Sequence, residues 1–376
     1  MADSPSVIVV GAGVVGAACS EALAQAGCRV QVIESVFVGA GATGAAMGHL
    51  VAMDDSEAQF ALSSYSRRLW AERAPQLPAA VEHRRCGTLW VAANEEELTR
   101  VRAKAGDYAA RGEPAQLLDS RQLREAEPGL RAGLAGGLLV EDDAVLYPPA
   151  AARALVERAL GLGARLRTGA TVDAVSPGRV RCDGTWLEAD HVLLAAGAAS
   201  TRLVLELPIV PRKGHLVVTD RYPGALRHQV VELGYLKSAH TLARESVAFN
   251  VQPRATGQLV VGSSRELVDW DASINRPLVA RMVRRAVEYM PGIGALSALR
   301  TWVGFRPATP DKLPLIGAWE PRLWIAAGHE GLGITTAPGT AQLICSLLLG
   351  RSTPLDPAPF DPRRPMPAHD GTGAPS

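Results

Sequence analysis

The strongest constraint on this chain is the run VIVVGAGVVG from Val7 to Gly16. Val7 to Val10 form a short β-branched stretch that reads as a buried parallel strand. Gly11, Gly13 and Gly16 follow at once. Next comes an alanine-rich stretch with Leu23 and Gln25, closed by Gly27, which suits a helix with a glycine C-cap. Arg29 to Ile33 then alternate as a second strand, and Glu34 ends it. Each part has a mechanical use in holding a dinucleotide. Gly11 permits a tight turn, Gly13 lets backbone approach a pyrophosphate, and Gly16 lets helix and strand pack closely. The helix start, at Val14 and Val15, offers unpaired N–H groups and the positive end of a dipole. Glu34 is placed to accept from ribose hydroxyls and would repel a 2′-phosphate. A bare Gly-x-Gly-x-x-Gly also arises in ordinary glycine-rich turns; the register of strand, helix, strand and acid gives this one its specificity.

That motif alone does not separate FAD from NAD, since both present the same ADP half. Two further glycine-bearing segments favour FAD. Gly39 to Leu50, GAGATGAAMGHL, is a run of small residues where an NAD domain usually continues into a plain crossover. Small side chains let backbone lie along an extended ligand, and Thr43 adds a hydroxyl. Gly328 to Thr336, GHEGLGITT, follows the apolar run Leu323 to Ala327 and precedes a helical stretch from Ala337 to Leu349. Its amides can face the flavin edge where negative charge gathers on reduction. A third apolar strand, Val192 to Ala196, runs into Gly197. One long cofactor accounts for all three turns together.

Composition narrows the class. With 376 residues, 47% hydrophobic and 20% charged, the chain has ordinary globular usage and more length than one compact core needs, so two interlocked domains are expected. A net charge of +1, from 39 basic and 38 acidic residues, gives no case for a nucleic-acid partner or an anionic membrane. Cys19, Cys28, Cys86, Cys182 and Cys345 are scattered, which argues against a disulfide framework, a structural zinc or an iron–sulfur cluster in this chain. No run reaches the ~18 to 20 apolar residues of a membrane span, and the apolar start lacks a basic leader. A cytoplasmic location is the expectation.

The ordered set of motifs resembles the family of FAD enzymes that contains D-amino-acid oxidase, glycine oxidase and sarcosine oxidase, over nearly the whole chain to about Pro362. The resemblance rests on VIVVGAGVVG with Glu34, the segment GAGATGAAMG, the strand end LLAAGAAS, the block WVGFRPATPDKLPLIG from Trp302 to Gly317, and GHEGLGITTAPGTAQL. Within the family, PRKGHLVVTD, VAFNVQPRATGQLVVGSS and GHEGLGITTAPGTA look most like the FAD-bearing subunits of D-hydroxyproline and opine dehydrogenase complexes. The resemblance implies FAD contacts at Val14, Val15, Glu34, Ser35, Ala42, Thr43, Met47, Gly48 and His49, with Val172 on the adenine side. It also implies that His329, Glu330, Gly331, Leu332, Gly333, Ile334 and Thr335 line the flavin ring. Arg306 matches the arginine that pairs with a substrate carboxylate, a task for which planar bidentate geometry suits guanidinium. Departures matter too. Sarcosine oxidases with covalent flavin carry a cysteine where this chain has Gly304, and dimethylglycine dehydrogenase relatives carry a histidine where it has Ala45. Noncovalent FAD follows. Glycine oxidase has a second active-site arginine where this chain has Gly331, which counts against glycine as substrate.

The expected architecture is α/β: a Rossmann-like FAD domain from residues 1–80, 140–205 and 303–350, with a discontinuous α+β substrate domain from 81–139 and 206–302. The latter carries a mixed or antiparallel sheet, and 351–376 forms a tail whose end is disordered. Asp183-Gly184 and Thr256-Gly257 read as hairpin turns, and Asn94 with Glu97 as a helix start. The expected reaction is hydride transfer from a small amino or imino acid to flavin, with Arg306, His215, Tyr235 and His49 as candidate substrate-side residues. By the resemblance, electrons pass to partner subunits bearing an iron–sulfur centre or a second flavin. Oxygen as acceptor, an opine substrate, an NAD-dependent dehydrogenase and a noncatalytic flavin-fold scaffold are the competing readings.

Overall fold

The computed structural model describes residues 4–233 and 245–367. Two sheets organise it. The first has six strands in the order Leu315–Glu320, Leu323–Ala327, His191–Leu194, Ser6–Val10, Arg29–Glu34 and Arg165–Thr168. All neighbours are parallel except the first pair. Ser6–Val10 sits near its centre because Val7, Ile8, Val9 and Val10 are buried, as a parallel sheet covered on both faces demands. The helices Val14–Gln25, Pro148–Gly161 and Gly333–Leu348 pack beside it, and their alanines and glycines let backbones approach closely.

The second sheet has eight strands. Its order is Ala298–Ala308, Val210–Arg221, Gln258–Glu266, Glu245–Pro253, Gln229–Glu232, Thr88–Ala92, Gly136–Val140 and Gln116–Asp119. It is mixed: Gln229–Glu232 runs parallel to Thr88–Ala92, while the other neighbours are antiparallel. Leu89, Val230, Phe249 and Val251 on one face pack under the amphipathic helix Arg276–Tyr289, with Met282 and Ala286. The α/β class with a mixed second sheet is therefore as the sequence implies. A small antiparallel sheet, Val172–Ser176, Arg179–Cys182 and Thr185–Glu188, turns at Asp183 and Gly184, both at positive φ.

Two local differences from the sequence reading have clear causes. The last long helix begins at Gly333, not Ala337, and so encloses Pro338. Proline leaves the carbonyl four residues back without its helical donor; here that is Ile334 O, and Trp70 Nε1 donates to it at 3.0 Å. Second, the tail stays attached well past Gly350. Phe360 is buried, and the Arg364 guanidinium bonds both Asp311 oxygens at 2.7 and 2.9 Å and two carbonyls, Leu313 O and Pro314 O. The expected disorder at the chain end otherwise falls on 368–376, outside the described residues. Within the small-residue segment Gly41–Ala45 forms a short helix and His49–Leu50 a short strand.

Candidate active site

A cavity of about 600 Å³ runs from the first glycine turn to the second sheet. Its far end is lined by Gly11, Gly13, Val14, Val15, Glu34 and Ser35, and its middle by Ala42, Thr43, Met47, Gly48 and His49. Val172, Gly197, His329, Glu330, Gly331, Gly333, Ile334 and Arg306 complete the sequence-expected set that reaches it.

Backbone proximity makes the glycines necessary. A Cβ on Gly11, whose φ is +106°, would lie 2.6 Å from Ala195 O. Gly16 is not a lining residue: its Cβ would fall 2.0 Å from Gly11 O, so it acts by letting the helix approach the turn. A Cβ on Gly13 would come within 3.2 Å of Thr43 Oγ1. That hydroxyl accepts from Val14 N–H at 3.0 Å, tying the small-residue segment to the helix start. The Glu34 carboxylate accepts from Ala12 N–H at 2.8 Å and Val36 N–H at 2.9 Å. Each of its oxygens has a further lone pair, so these bonds fix it while leaving acceptor capacity for a sugar hydroxyl.

The donor set fits a flavin dinucleotide. Small side chains and helix-start amides stand at one end, Glu34 at the sugar position, and the Gly331 and Gly333 turn at the other. A Cβ on Gly304 would lie 2.4 Å from the Ala45 Cβ. The two positions at which family members attach flavin are thus neighbours, and neither carries a nucleophile.

At the second sheet, Arg306 projects from strand Ala298–Ala308 across Gly214 on the neighbouring strand, its register partner being Arg212. A Cβ on Gly214 would lie 2.2 Å from Arg306 Nη1 and 2.7 Å from Cζ and Nη2. The guanidinium therefore occupies the space that a side chain there would take. Arg306 Nη1 donates to Ser264 O at 3.1 Å, which fixes its plane. Glu330 stands beside it at φ +44°, its N–H donating to Pro307 O at 2.9 Å. Burial raises the Glu330 pKa, but Arg265, Arg212, Arg306 and Lys312 outweigh it and hold the carboxyl below its ordinary range. Arg212 Nη1 lies 3.2 Å from Glu330 Oε1, and Arg265 Nε 3.9 Å.

His49 lines the cavity next to Arg306. Burial, and secondarily the Arg306 charge, lower its pKa to about 4. Burial alone lowers that of His329 to about 3, and its Nε2 pairs with Thr340 Oγ1 at 3.0 Å. Both rings are neutral near pH 7.

Three expected residues fall elsewhere. His215 is fully buried and does not line the cavity; Nδ1 meets Ser264 Oγ at 2.8 Å and Nε2 accepts from Asn275 N–H at 3.0 Å. One nitrogen is taken up by Ser264 on the neighbouring strand and the other by the loop before Arg276–Tyr289, which removes it as a substrate-side candidate. Thr335 Oγ1 donates to His49 O at 2.8 Å and accepts from Val51 N–H at 3.3 Å, so it braces His49 without reaching the cavity. Leu332 also misses the large cavity and lines a smaller one beyond it. Tyr235 lies outside the described residues. Asn250, Ser263, Phe305 and Arg202 line the cavity and were not anticipated. Asn250 stands within the FNVQP strand, where alternation marked it only as one polar position among several.

Residues 6–347 match the family described as DAO, FAD dependent oxidoreductase. The chain is 30% identical over 376 residues to glycine oxidase of Geobacillus kaustophilus, covering 94% of this chain and 95% of that protein. It is also 30% identical over 367 residues to the bifunctional protein ThiO/ThiG of Nostoc sp., covering 93% of this chain but only 53% of that longer protein. Among solved structures, the crystal structure of glycine oxidase from Geobacillus kaustophilus superposes with a TM-score of 0.87 at 29% identity, covering 97% of this chain and all of that one. Among the described residues no helix is long and apolar enough to cross a membrane.

Proposed function

Because the chain belongs to the DAO family of FAD dependent oxidoreductases, we propose that it oxidises the carbon–nitrogen bond of a small cyclic imino acid of the D-proline or D-hydroxyproline kind, within a cytoplasmic complex. The observation that carries this reading is Arg306, laid flat over Gly214 at the end of a cavity shaped for a dinucleotide.

In this reading Glu34 and Ser35 hold the adenosine sugar, and the Val15 amide at the helix start faces the pyrophosphate together with the Thr43 hydroxyl that Val14 N–H holds in place. The turn from His329 to Ile334 lies along the flavin, held without a covalent bond. When bound, FAD accepts the hydride from the carbon beside the substrate nitrogen. Arg306 pairs with the substrate carboxylate in a bidentate fork and so fixes which carbon is presented. His49, neutral and braced by Thr335, walls the site without competing for that carboxylate as a cation. Electrons then leave to a partner subunit with an iron–sulfur centre or second flavin, in keeping with the narrower resemblance. The five cysteines are all free, and among the described residues they form no metal-binding group with His, Asp or Glu. The division into a cofactor part and a substrate part, along the two sheets, belongs to the same proposal.

Glycine is the second reading, favoured by the identity to the Geobacillus enzyme. Gly331 opposes it: a Cβ there would already be within 3.9 Å of the Arg306 side chain, and the position offers no second cation. Anaerobic mixing decides. Under the proposal, D-proline or cis-4-hydroxy-D-proline bleaches the flavin band near ~450 nm and glycine does so far more slowly. Bleaching by glycine alone moves the assignment to glycine oxidation, and bleaching by no amino or imino acid supports a scaffold role. Rapid reoxidation in air would replace the partner subunit with oxygen.

A further inference from the structure

Beyond Arg306 lies a second chamber of about 80 Å³, lined by Met53, Gln59, Trp90, Gln229, Val231 and Asn250. It shares His49, Asn250, Arg306, Glu330 and Gly331 with the large cavity, so it opens beside the carboxylate anchor. Its wall is one face of the eight-stranded sheet. Val231 pairs with Trp90 on one side and Asn250 on the other, and Gln229 pairs with Thr88, which puts these side chains on a common face. The opposite face, with Leu89, Val230 and Val251, is apolar core. Both faces are buried, and the polar side chain of the opposite face, Glu232, is engaged by Arg285 and Tyr289 of the covering helix.

The side chains around the chamber have unmet hydrogen-bonding groups. Trp90 and Gln229 are each 2% exposed, and Trp90 Nε1, Gln229 Oε1, Gln59 Oε1, Asn250 Oδ1 and His49 Nε2 have no partner among the described residues. Five such atoms on residues around one chamber are not what folding alone selects, because an unmet buried polar group costs more than a typical hydrogen bond returns. The charged residues on the wall other than Arg306 stand in opposition, Arg265 and Lys312 against Glu330 and Asp55. Apart from the anchor, the chamber therefore asks for a neutral group that both donates and accepts.

We propose that the second chamber receives a hydroxyl carried by the substrate, with Trp90 Nε1–H donating to it and Gln229 Oε1 accepting its proton. Trp90 and Gln229 are then specificity residues for a hydroxylated amino or imino acid. This rests on the carboxylate-anchoring role of Arg306 proposed above, and it adds which member of the substrate class fits.

The test separates the two readings by using a ligand that cannot be oxidised. Tetrahydrofuran-2-carboxylate and its 4-hydroxy derivative keep the ring and carboxylate but replace the amine with an ether oxygen. Titrated into the FAD-loaded protein and followed by the flavin absorbance shift, the hydroxylated acid binds at least about tenfold more tightly. Gln229→Leu and Trp90→Phe abolish that preference, while each keeps the wild-type affinity for the plain acid and the wild-type flavin spectrum. Equal affinities in the wild-type protein, or a preference that survives both substitutions, overturn the assignment. A preserved preference in the wild type with no flavin bleaching by any amino or imino acid instead upholds the chamber and removes the proposed reaction.

Discussion

Gly214→Ala is the most informative single change, because its backbone allows alanine and only the neighbouring guanidinium does not. A methyl there would sit 2.2 Å from Arg306 Nη1 and 2.7 Å from Cζ, against the ~3.5 to 4.0 Å of a normal contact. The guanidinium must therefore retreat by more than ~1 Å, and it can, since it ends a flexible side chain. Its bond to Ser264 O, now 3.1 Å, breaks with the shift. Losing one neutral-acceptor hydrogen bond at a half-buried site costs folding only about 1 kcal/mol. Binding suffers more, since a desolvated guanidinium–carboxylate pair that loses its partner geometry forfeits about 2 kcal/mol or more, roughly a 30-fold rise in Kd. Titration of tetrahydrofuran-2-carboxylate into the FAD-loaded variant reads this directly. Arg306→Leu should weaken binding to a similar extent, and adding Gly214→Ala to it should change nothing further, because both remove one interaction. An unchanged Kd for Gly214→Ala, or additive losses in the double variant, would refute the idea that this glycine exists to seat the anchor.

Two other outcomes follow from the cavity's construction. Gly48→Ala should abolish FAD retention and cost roughly 3 kcal/mol or more of stability, because its Cβ would lie 1.9 Å from Leu146 O at φ +111°; Gly41→Ala, at φ +60° with open space around it, should cost only about 1 kcal/mol and keep the yellow colour. Acid should destabilise the fold through its neutral histidines. With pKa values of about 4 for His49 and about 3 for His329 against an ordinary 6.5, the unfolded chain binds more protons on acidification. Their contribution is whole above pH ~6.5 and is lost as pH falls toward those values, amounting to up to roughly 5 kcal/mol for His329. Urea unfolding from pH 7 to 4.5 should show His329→Gln flattening that acid limb; an unaltered slope would mean the ring is not held neutral.

Much of the cofactor side was legible because glycine is informative wherever backbone must pass backbone. Gly11, Gly16 and Gly48 stand where a Cβ would strike a carbonyl, and their spacing in the sequence is enough to mark them as places of close backbone approach. Side-chain roles were less legible. His215 looked like a site histidine from its neighbours in sequence, but the residues that consume its nitrogens, Ser264 and Asn275, are 49 and 60 positions away. Trp90 and Gln229 escaped notice for the opposite reason. Alternation in a strand reads as polar outward, and only the pairing of Gln229–Glu232 with Thr88–Ala92 turns that polar face inward. The start of the last helix was hidden by Pro338, since the compensating donor, Trp70, comes from another helix.

The charge around the anchor bears on how the reaction proceeds without an evident base. A protonated amine cannot release hydride from the neighbouring carbon, because its lone pair is occupied. On the proposed reading the amine sits near Glu330, on whose carboxylate Arg265, Arg212, Arg306 and Lys312 act. Lys312 shows what this place does to an ammonium: burial holds its pKa below the ordinary value, against the pull of Asp55 and Glu330, which act on it more strongly than Arg265 and Arg212 do. On the proposed reading a substrate ammonium taken out of water alongside meets the same desolvation penalty and loses its proton more readily than in water. Asp55 and Glu330 work against this, so burial has to carry the deprotonation, and Arg306 helps by neutralising the substrate's own carboxylate. On this reading the neutral amine comes from desolvation and not from a protein base, and with His49 and His329 already neutral, no ring in the site has to titrate.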